Sequence, residues 1–318
     1  MKSPRQQTRP QTPTGAVSVA QDQSGNDRVP GATADHSTPA HSLYKHVTVP
    51  INGHTPNERS VPIARDLAQH LGCDIEFASM LFDSKHLAER ARLVHLLALR
   101  LKGIPVLTNI AEGGDPSAFI LDLVNRPDTL VVLAGGTSII GLPGSVTTDV
   151  LRFAARPFVV VGPRANPTWQ GPITSIIVPL DGSRAAESSL RVAVEWAQFF
   201  DATVELLQVI DPQESTNHQV DFLTSYAGDA AAPDALDVAY LEHVAESLMA
   251  DQHCRVTFEV LHARRSHRVG AIAEYADRGC GRILTMASNG FRRSGAMVAG
   301  TTLRVIHHAE IPALIVRT

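Results

Sequence analysis

Apolar residues follow two alternating spacings from Tyr44 to the C-terminus. Short runs of apolar and β-branched residues, such as HVTVP and TVELLQVI, predict buried strands. Between these runs, apolar residues recur every three or four positions, as in SVPIARDLAQHL, which predicts amphipathic helices. Strands that alternate with helices are typical of a parallel sheet with helices on both faces, so the predicted fold class is α/β.

The strand–helix pattern occurs twice, and each unit contains five predicted strands. These span 46–50, 74–81, 104–110, 129–135 and 157–162 in the first unit, and 175–183 (with a turn), 203–210, 255–263, 282–288 and 312–317 in the second. The predicted helices span 57–71, 85–101, 116–124, 145–154, 184–199, 234–251, 268–279 and 301–309. At a fixed offset of 129 residues, Gly53 matches Gly182 and Glu58 matches Glu187, which indicates an internal duplication.

Composition divides the chain into four segments. Residues 1–42 are rich in Gln, Thr, Pro, Ser, Gly and Asp and contain few large apolar residues, which predicts a disordered tail. The Pro-rich, polar stretch 164–173 is predicted to be a linker. The sequence therefore predicts one α/β domain at 43–163 and a second at 174–318.

Charge and composition narrow the possible function classes. The net charge of −4 and the pI near 6.4 give no electrostatic basis for binding nucleic acid or an anionic membrane. No apolar run reaches the ~20 residues of a membrane span, and the N-terminus lacks the apolar core of a secretory signal, so we expect a cytoplasmic protein. Cys73, Cys254 and Cys280 match no metal-binding spacing. We predict no metal site and no catalytic residue.

Two loops of the second unit carry the candidate chemistry. In open α/β sheets, ligands bind beyond the carboxyl ends of the strands, where the strand order reverses. The first strand ends at Asp181, whose carboxylate could accept a hydrogen bond from a ribose hydroxyl or an adenine amino group. An Asx turn or a helix N-cap explains the same residue equally well.

The second loop follows the fourth strand and reads MASNGFRRSGAMVAGTT (286–302). Its glycines would let backbone N–H groups approach a phosphate, and a helix begins at Thr301-Thr302, where the helix dipole suits an anion. A flexible turn between a strand and a helix is the alternative explanation for this loop.

These stretches resemble the universal stress protein family. The resembling parts are IIVPLDGS, VELLQVID and the 286–302 loop with the VIHHAEIPALIVR that follows it. ATP-binding members of that family carry G-2x-G-9x-G-[ST] after the fourth strand. Here the same frame reads Ala287, two residues, Gly290, nine residues, Gly300 and Thr301. The resemblance extends over roughly residues 44–318, both units included.

The resemblance implies a fold, a cofactor and a set of binding residues. It implies two tandem five-stranded parallel-sheet domains, flavodoxin-like or adenine-nucleotide α-hydrolase-like, each with strand order 3-2-1-4-5. It also implies ATP as the cofactor and an intramolecular pseudo-dimer made by the fifth strands, with a homodimer as a further option. The implied binding residues are Asp181 and Val209 at adenine and ribose, Met286, Ala287 and Gly290 at the mouth, and Gly300, Thr301 and Thr302 at the phosphates.

The first unit departs further from the family motif. Asn52 stands where the acidic residue is expected, and the loop after the fourth strand puts Thr137 at the second glycine. This loop is also three residues short before Gly144-Ser145, and no Lys or Arg occurs from Asp128 to Leu151. We therefore expect the first unit to be a packing or regulatory domain rather than a nucleotide site.

The sequence favours a stress-response regulator that binds ATP in its second domain. No residue is positioned as a base to activate water, so we expect at most slow ATP hydrolysis and no dedicated enzyme activity. One rival is an interaction module without nucleotide, favoured by Ala287 at a glycine position and by eleven rather than twelve steps from Thr301 to Pro312. The other is an enzyme of the adenine-nucleotide α-hydrolase type, for which DGSRAAE has only the start of the required loop.

Overall fold

The computed structural model describes residues 43–51, 59–135, 146–169, 171–211, 233–252, 254–288 and 300–317; the predicted tail at 1–42 lies outside these ranges. The strands are β1 (His46–Pro50), β2 (Asp74–Leu81), β3 (Val106–Glu112), β4 (Thr129–Ala134), β5 (Phe158–Val161), β6 (Ser175–Leu180), β7 (Thr203–Ile210), β8 (Arg255–His262), β9 (Arg282–Ser288) and β10 (Ala313–Arg317). The α-helices are α1 (Ser60–Leu71), α2 (Leu87–Ala98), α3 (Pro116–Asn125), α4 (Val146–Phe153), α5 (Arg184–Glu187), α6 (Leu190–Phe200), α7 (Pro233–Gln252), α8 (Arg268–Ala276) and α9 (Thr301–His308).

The strands in these ranges form one sheet in the order β3-β2-β1-β4-β5-β10-β9-β6-β7-β8. All neighbours within each half are parallel. The α/β class is confirmed, and each half has the order 3-2-1-4-5. The two sets of strands are not separate sheets, however, because β5 and β10 pair antiparallel, with Val159 opposite Leu314.

The hydrophobic core lies on both faces of this sheet. Strands β5 and β9 are buried along nearly their whole length, as expected for strands covered by helices on both sides. Phe77, Phe158 and Trp196 are among the largest fully buried side chains, and burial of each such side chain contributes about 1.5–3 kcal/mol. None of the helices in the described ranges combines the length and the apolar character that a transmembrane span requires.

One predicted helix, at 184–199, is broken into α5 and α6. The hydroxyl groups of Ser188 and Ser189 donate hydrogen bonds to the carbonyl oxygens of Ala185 and Ala186, each at 2.7 Å. Serine hydroxyls that bond the preceding turn compete with regular helical hydrogen bonding. The paired serines therefore explain why two short helices replace the single predicted one.

The segment between the two halves packs against both of them. The indole N–H of the buried Trp169 donates to the carbonyl oxygen of Arg282 in β9 at 2.9 Å. On the other side, the N–H of Gly171 donates to the buried carboxylate of Asp66 in α1. Although its composition is typical of a linker, this segment is held to each half by its own hydrogen bonds.

A close contact at Gly162 determines how the first half approaches α9 of the second half. A Cβ atom built on Gly162, which follows β5, would overlap with the carbonyl oxygen of Ile306 in α9. The hydroxyl of Ser288, at the end of β9, donates to the carbonyl oxygen of Leu151 in α4 at 3.0 Å. Each half therefore contacts a backbone carbonyl oxygen of the other half across the junction.

Replacing Gly162 with alanine should therefore weaken the junction. We expect Gly162→Ala to lower the free energy of unfolding by about 1–3 kcal/mol, because the backbone must shift to accept the methyl group. Gly270→Ala in α8 is the matched control, since a Cβ there meets no atom within 4 Å and alanine favours a helix by up to ~1 kcal/mol. Urea denaturation measures both, and equal effects of the two substitutions would contradict the contact.

Candidate functional site

The carboxyl ends of β6, β7 and β9 lie side by side, at the edge of the sheet where the sequence predicts a crevice. Strand β6 is central: it pairs with β7 up to Leu180 opposite Gln208, and with β9 up to Ile177 opposite Leu284. The loops that follow these strands therefore start at one edge of the sheet. Four of the predicted binding residues lie at this edge: Asp181, Val209, Met286 and Ala287.

Asp181 is exposed directly after β6, and its carboxylate shapes the turn into α5. Its Oδ1 atom accepts hydrogen bonds from the N–H of Ser183 at 3.0 Å and from the Ser183 hydroxyl at 2.6 Å. The same hydroxyl accepts from the N–H of Ala186 at 3.2 Å and so caps α5. The Asx turn is therefore present, but both of its bonds use Oδ1 and leave Oδ2 outside the turn.

A hydrogen-bonded pair that the sequence analysis missed lies near Asp181. The hydroxyl of the buried Tyr240 in α7 donates to Glu187 of α5 at 2.8 Å. Burial raises the pKa of Tyr240, and the hydrogen bond to Glu187 and the charge of Asp181 raise this pKa further, so the phenol stays neutral. Nearby, the side-chain amide of Gln208 donates to Asp237 of α7 at 2.5 Å. The sequence analysis marked Glu187 only through its match with Glu58 in the internal repeat. The contact with Tyr240 could not be predicted, because the sequence pattern does not show where α7 packs.

The first turn of α9 is tied to the end of β9. The hydroxyl of Thr302 donates to the carbonyl oxygen of Ala287 at 2.8 Å. This hydroxyl proton therefore positions the helix and is not available to a phosphate. Thr301 is exposed at the first helical position, where backbone N–H groups lack intrahelical acceptors and the helix dipole favours an anion.

Gly300, which precedes α9, is exposed. Apart from its chain neighbours, no heavy atom of the described residues lies within 4 Å of a Cβ built on it. Its backbone angles, φ −55° and ψ 160°, are accessible to any residue. Among the described residues, no contact requires a glycine at this position.

The other predicted residues divide between the ends of β7 and β9 and positions outside the described ranges. Val209 and Met286 are 8% and 7% exposed, and Ala287 is half-buried. Among the described residues, no group of three or more His, Cys, Asp or Glu is placed to hold a metal ion. Outside the described residues lie Gly290, Arg292 and Arg293 of the second half and Asn52, Thr137, Gly144 and Ser145 of the first.

One family model matches the half that contains these strand ends. Residues 172–317 match the model of the universal stress protein family. This range begins just before β6, ends with β10 and includes every residue of the candidate site. No curated protein sequence matches the chain at a significant level.

Solved structures with the same fold extend over both halves. A universal stress protein from Archaeoglobus fulgidus superposes with a TM-score of 0.60 at 15% identity, covering 86% of this chain and 98% of that one. A candidate universal stress protein from Pseudomonas aeruginosa gives a TM-score of 0.57 at 14% identity, covering 87% of this chain and 94% of that one. At such identities the comparison shows the fold alone.

The tie between α9 and β9 can be tested by removing one hydroxyl. Thr302→Val keeps the shape of the side chain and removes the donor, so the free energy of unfolding should fall by about 1 kcal/mol. Thr302→Ser retains the hydroxyl and should recover most of this loss, and Thr301→Val, at the exposed neighbouring position, is the control. Urea denaturation of the three variants gives the values; a Thr302→Val protein as stable as Thr301→Val would rule out the bond.

Proposed function

We propose, from the premise that residues 172–317 form a universal stress protein domain, that the crevice at the ends of β6 and β9 binds an adenine nucleotide, with ATP as the expected ligand. The protein would act as a stress-response regulator. In this proposal Asp181 and Val209 contact adenine and ribose, and the start of α9 receives the phosphates.

The open space at Gly300 is the observation that carries this proposal. A phosphate close to the backbone needs a position without a Cβ, followed by helix N–H groups that point toward the anion. Gly300 and Thr301 supply both features, and Thr302 fixes the helix to Ala287. Arg292 and Arg293, which precede Gly300 in the sequence, would supply charge-assisted hydrogen bonds.

The proposed role is regulation and not catalysis. Among the described residues at these strand ends, Tyr240 bonds Glu187, and Oδ1 of Asp181 accepts from Ser183. The phenol of Tyr240 is neutral because its pKa is raised, and it serves as a donor rather than as a base. In the proposed mechanism the nucleotide orders the 287–300 loop, shifts the population toward that state and changes the surface that a partner contacts.

Filling the space at Gly300 should abolish tight nucleotide binding without harming the fold. We expect Gly300→Val to weaken ATP binding by about ten- to a hundredfold, because the added side chain occupies the volume proposed for the phosphate. Gly270→Val is the matched control, since it makes the same substitution at another open position in the same half. Isothermal titration calorimetry gives the affinity and the stoichiometry, which we expect to be one ATP per chain.

Three calorimetric outcomes would change the account. Equal affinities of Gly300→Val and Gly270→Val would exclude the phosphate position. Two ATP molecules per chain would assign a site to the first half as well. No binding by the wild-type protein would leave the interaction module as the function of this fold.

A second substitution separates the two roles of Asp181. Asp181→Asn keeps an oxygen that accepts from Ser183, so the turn and the free energy of unfolding should change little. It removes the charge and replaces one oxygen by a donor, so ATP affinity should fall by about tenfold or more if Oδ2 accepts from the nucleotide. Unchanged ATP affinity would confine Asp181 to the turn.

A further inference from the structure

The two ends of the sheet carry opposite charges, and the nucleotide site does not account for them. Strands β3 and β8 are the outermost strands of the sheet, and α2 and α7 are the helices that lead into them. We call β3 with residues 85–102 the basic end, and β8 with α7 the acidic end. Because the two halves are structural repeats, these ends occupy equivalent positions, so their difference in charge does not follow from the fold.

The basic end exposes cations beside leucines. Residues 85–102 contain five Lys or Arg residues and a single acidic residue. One of the five, Arg90, turns inward and donates to the carbonyl oxygen of Ile51 at 3.1 Å. Arg92 and Arg100 are exposed and make no ion pair with another described residue. On the same stretch, Leu96 and Leu99 are 50% and 60% exposed, so apolar surface lies beside these cations.

The acidic end has the complementary composition. Helix α7 contains five acidic residues and no Lys or Arg. Asp237 is engaged with Gln208 in the crevice, whereas Glu242 and Glu246 lie on the exposed face of the helix. Met249, on the same helix, is 43% exposed. The acidic end therefore has an exposed apolar side chain beside carboxylates, and the basic end has exposed leucines beside arginines. The two surfaces are complementary in charge, and both have apolar area to bury.

The orientation of the outer strands suits direct pairing between two copies. Strands are parallel within each half, and the halves are joined antiparallel, so β3 and β8 run in opposite directions. A copy displaced along the sheet would place its β8 antiparallel to β3 of its neighbour. Both links, β2-α2-β3 and β7-α7-β8, are parallel crossovers, which are right-handed, so α2 and α7 lie on the same face of the sheet. The displaced copy would thus bring α7 next to α2.

Both outer strands offer unused backbone groups for this pairing. Strand β3 has seven residues and β8 has eight, and within the described residues each pairs with one neighbouring strand only. An edge strand presents a row of N–H and C=O groups that can extend the ladder into another chain. Leu107 and Phe258 are 43% and 38% exposed on these two strands, so each edge also has apolar surface to bury.

We propose that copies of this chain associate head to tail, with the basic end of one copy against the acidic end of the next. Strands β3 and β8 would pair antiparallel, and the cations beside Leu96 and Leu99 would face the carboxylates of α7. The contact joins two different surfaces, so it can repeat along a row of copies. This inference does not depend on nucleotide binding.

Charge reversal at one end and then at the other tests the proposal. The variants are Arg92→Glu with Arg100→Glu at the basic end, and Glu242→Arg with Glu246→Arg at the acidic end. Each variant alone has like charges at the contact. The dissociation constant for self-association of the full chain, measured by sedimentation velocity, should therefore rise at least about tenfold. An equimolar mixture of the two variants pairs opposite charges again and should recover association. Association of the wild-type protein should also weaken with added salt.

Controls separate this contact from unfolding and from other ligands. Arg191→Glu reverses an exposed charge on α6, outside the segments that define the two ends, and should associate like the wild type. Far-ultraviolet circular dichroism must show the same fold for all variants. A wild-type protein that stays monomeric at the highest attainable concentration would overturn the proposal, as would a mixture that does not recover association. Binding of monomers to phosphatidylserine vesicles through Arg92 and Arg100, without self-association, would assign the basic end to a membrane surface instead.

Discussion

The antiparallel pairing of β5 with β10 is the contact on which the rest of the structure depends. It brings Val159 opposite Leu314 and makes one continuous sheet from two parallel sets of strands. Because the sets run in opposite directions, their carboxyl ends lie at opposite edges of the sheet. The same pairing leaves β3 and β8 as the outer strands. Gly162 permits the close approach of the halves that this arrangement requires.

The pairing also gives the candidate site a physical connection to the other half. Helix α9 contacts the first half at Gly162 through the carbonyl of Ile306, while its first turn is held to β9 by Thr302 and Ala287. In the proposed function, a nucleotide phosphate at Gly300 would therefore act on a helix that also contacts the junction. A packed helix between two surfaces responds to such a ligand by changing position as a unit rather than by local deformation.

The sequence predicted the fold well and the site only in part. Apolar runs such as TVELLQVI fix strand positions closely, because burial on both faces allows few polar residues. The broken helix was missed because the hydrogen bonds of Ser188 and Ser189 are local choices that periodicity does not reveal. The contact of Tyr240 with Glu187 was missed because it depends on where α7 packs. The pairing of β5 with β10 was implied by resemblance, since two apolar edge strands do not by themselves specify each other.

The central claim is that an adenine nucleotide binds where Gly300 and Asp181 meet the ends of β6 and β9. Amide hydrogen–deuterium exchange of the full chain, with and without saturating ATP, tests this most directly. The account predicts slower exchange in peptides that contain 181–187 and 286–303, and unchanged exchange at α2 and β3. Unchanged exchange in the first two peptides, or slower exchange confined to the first half, would contradict it.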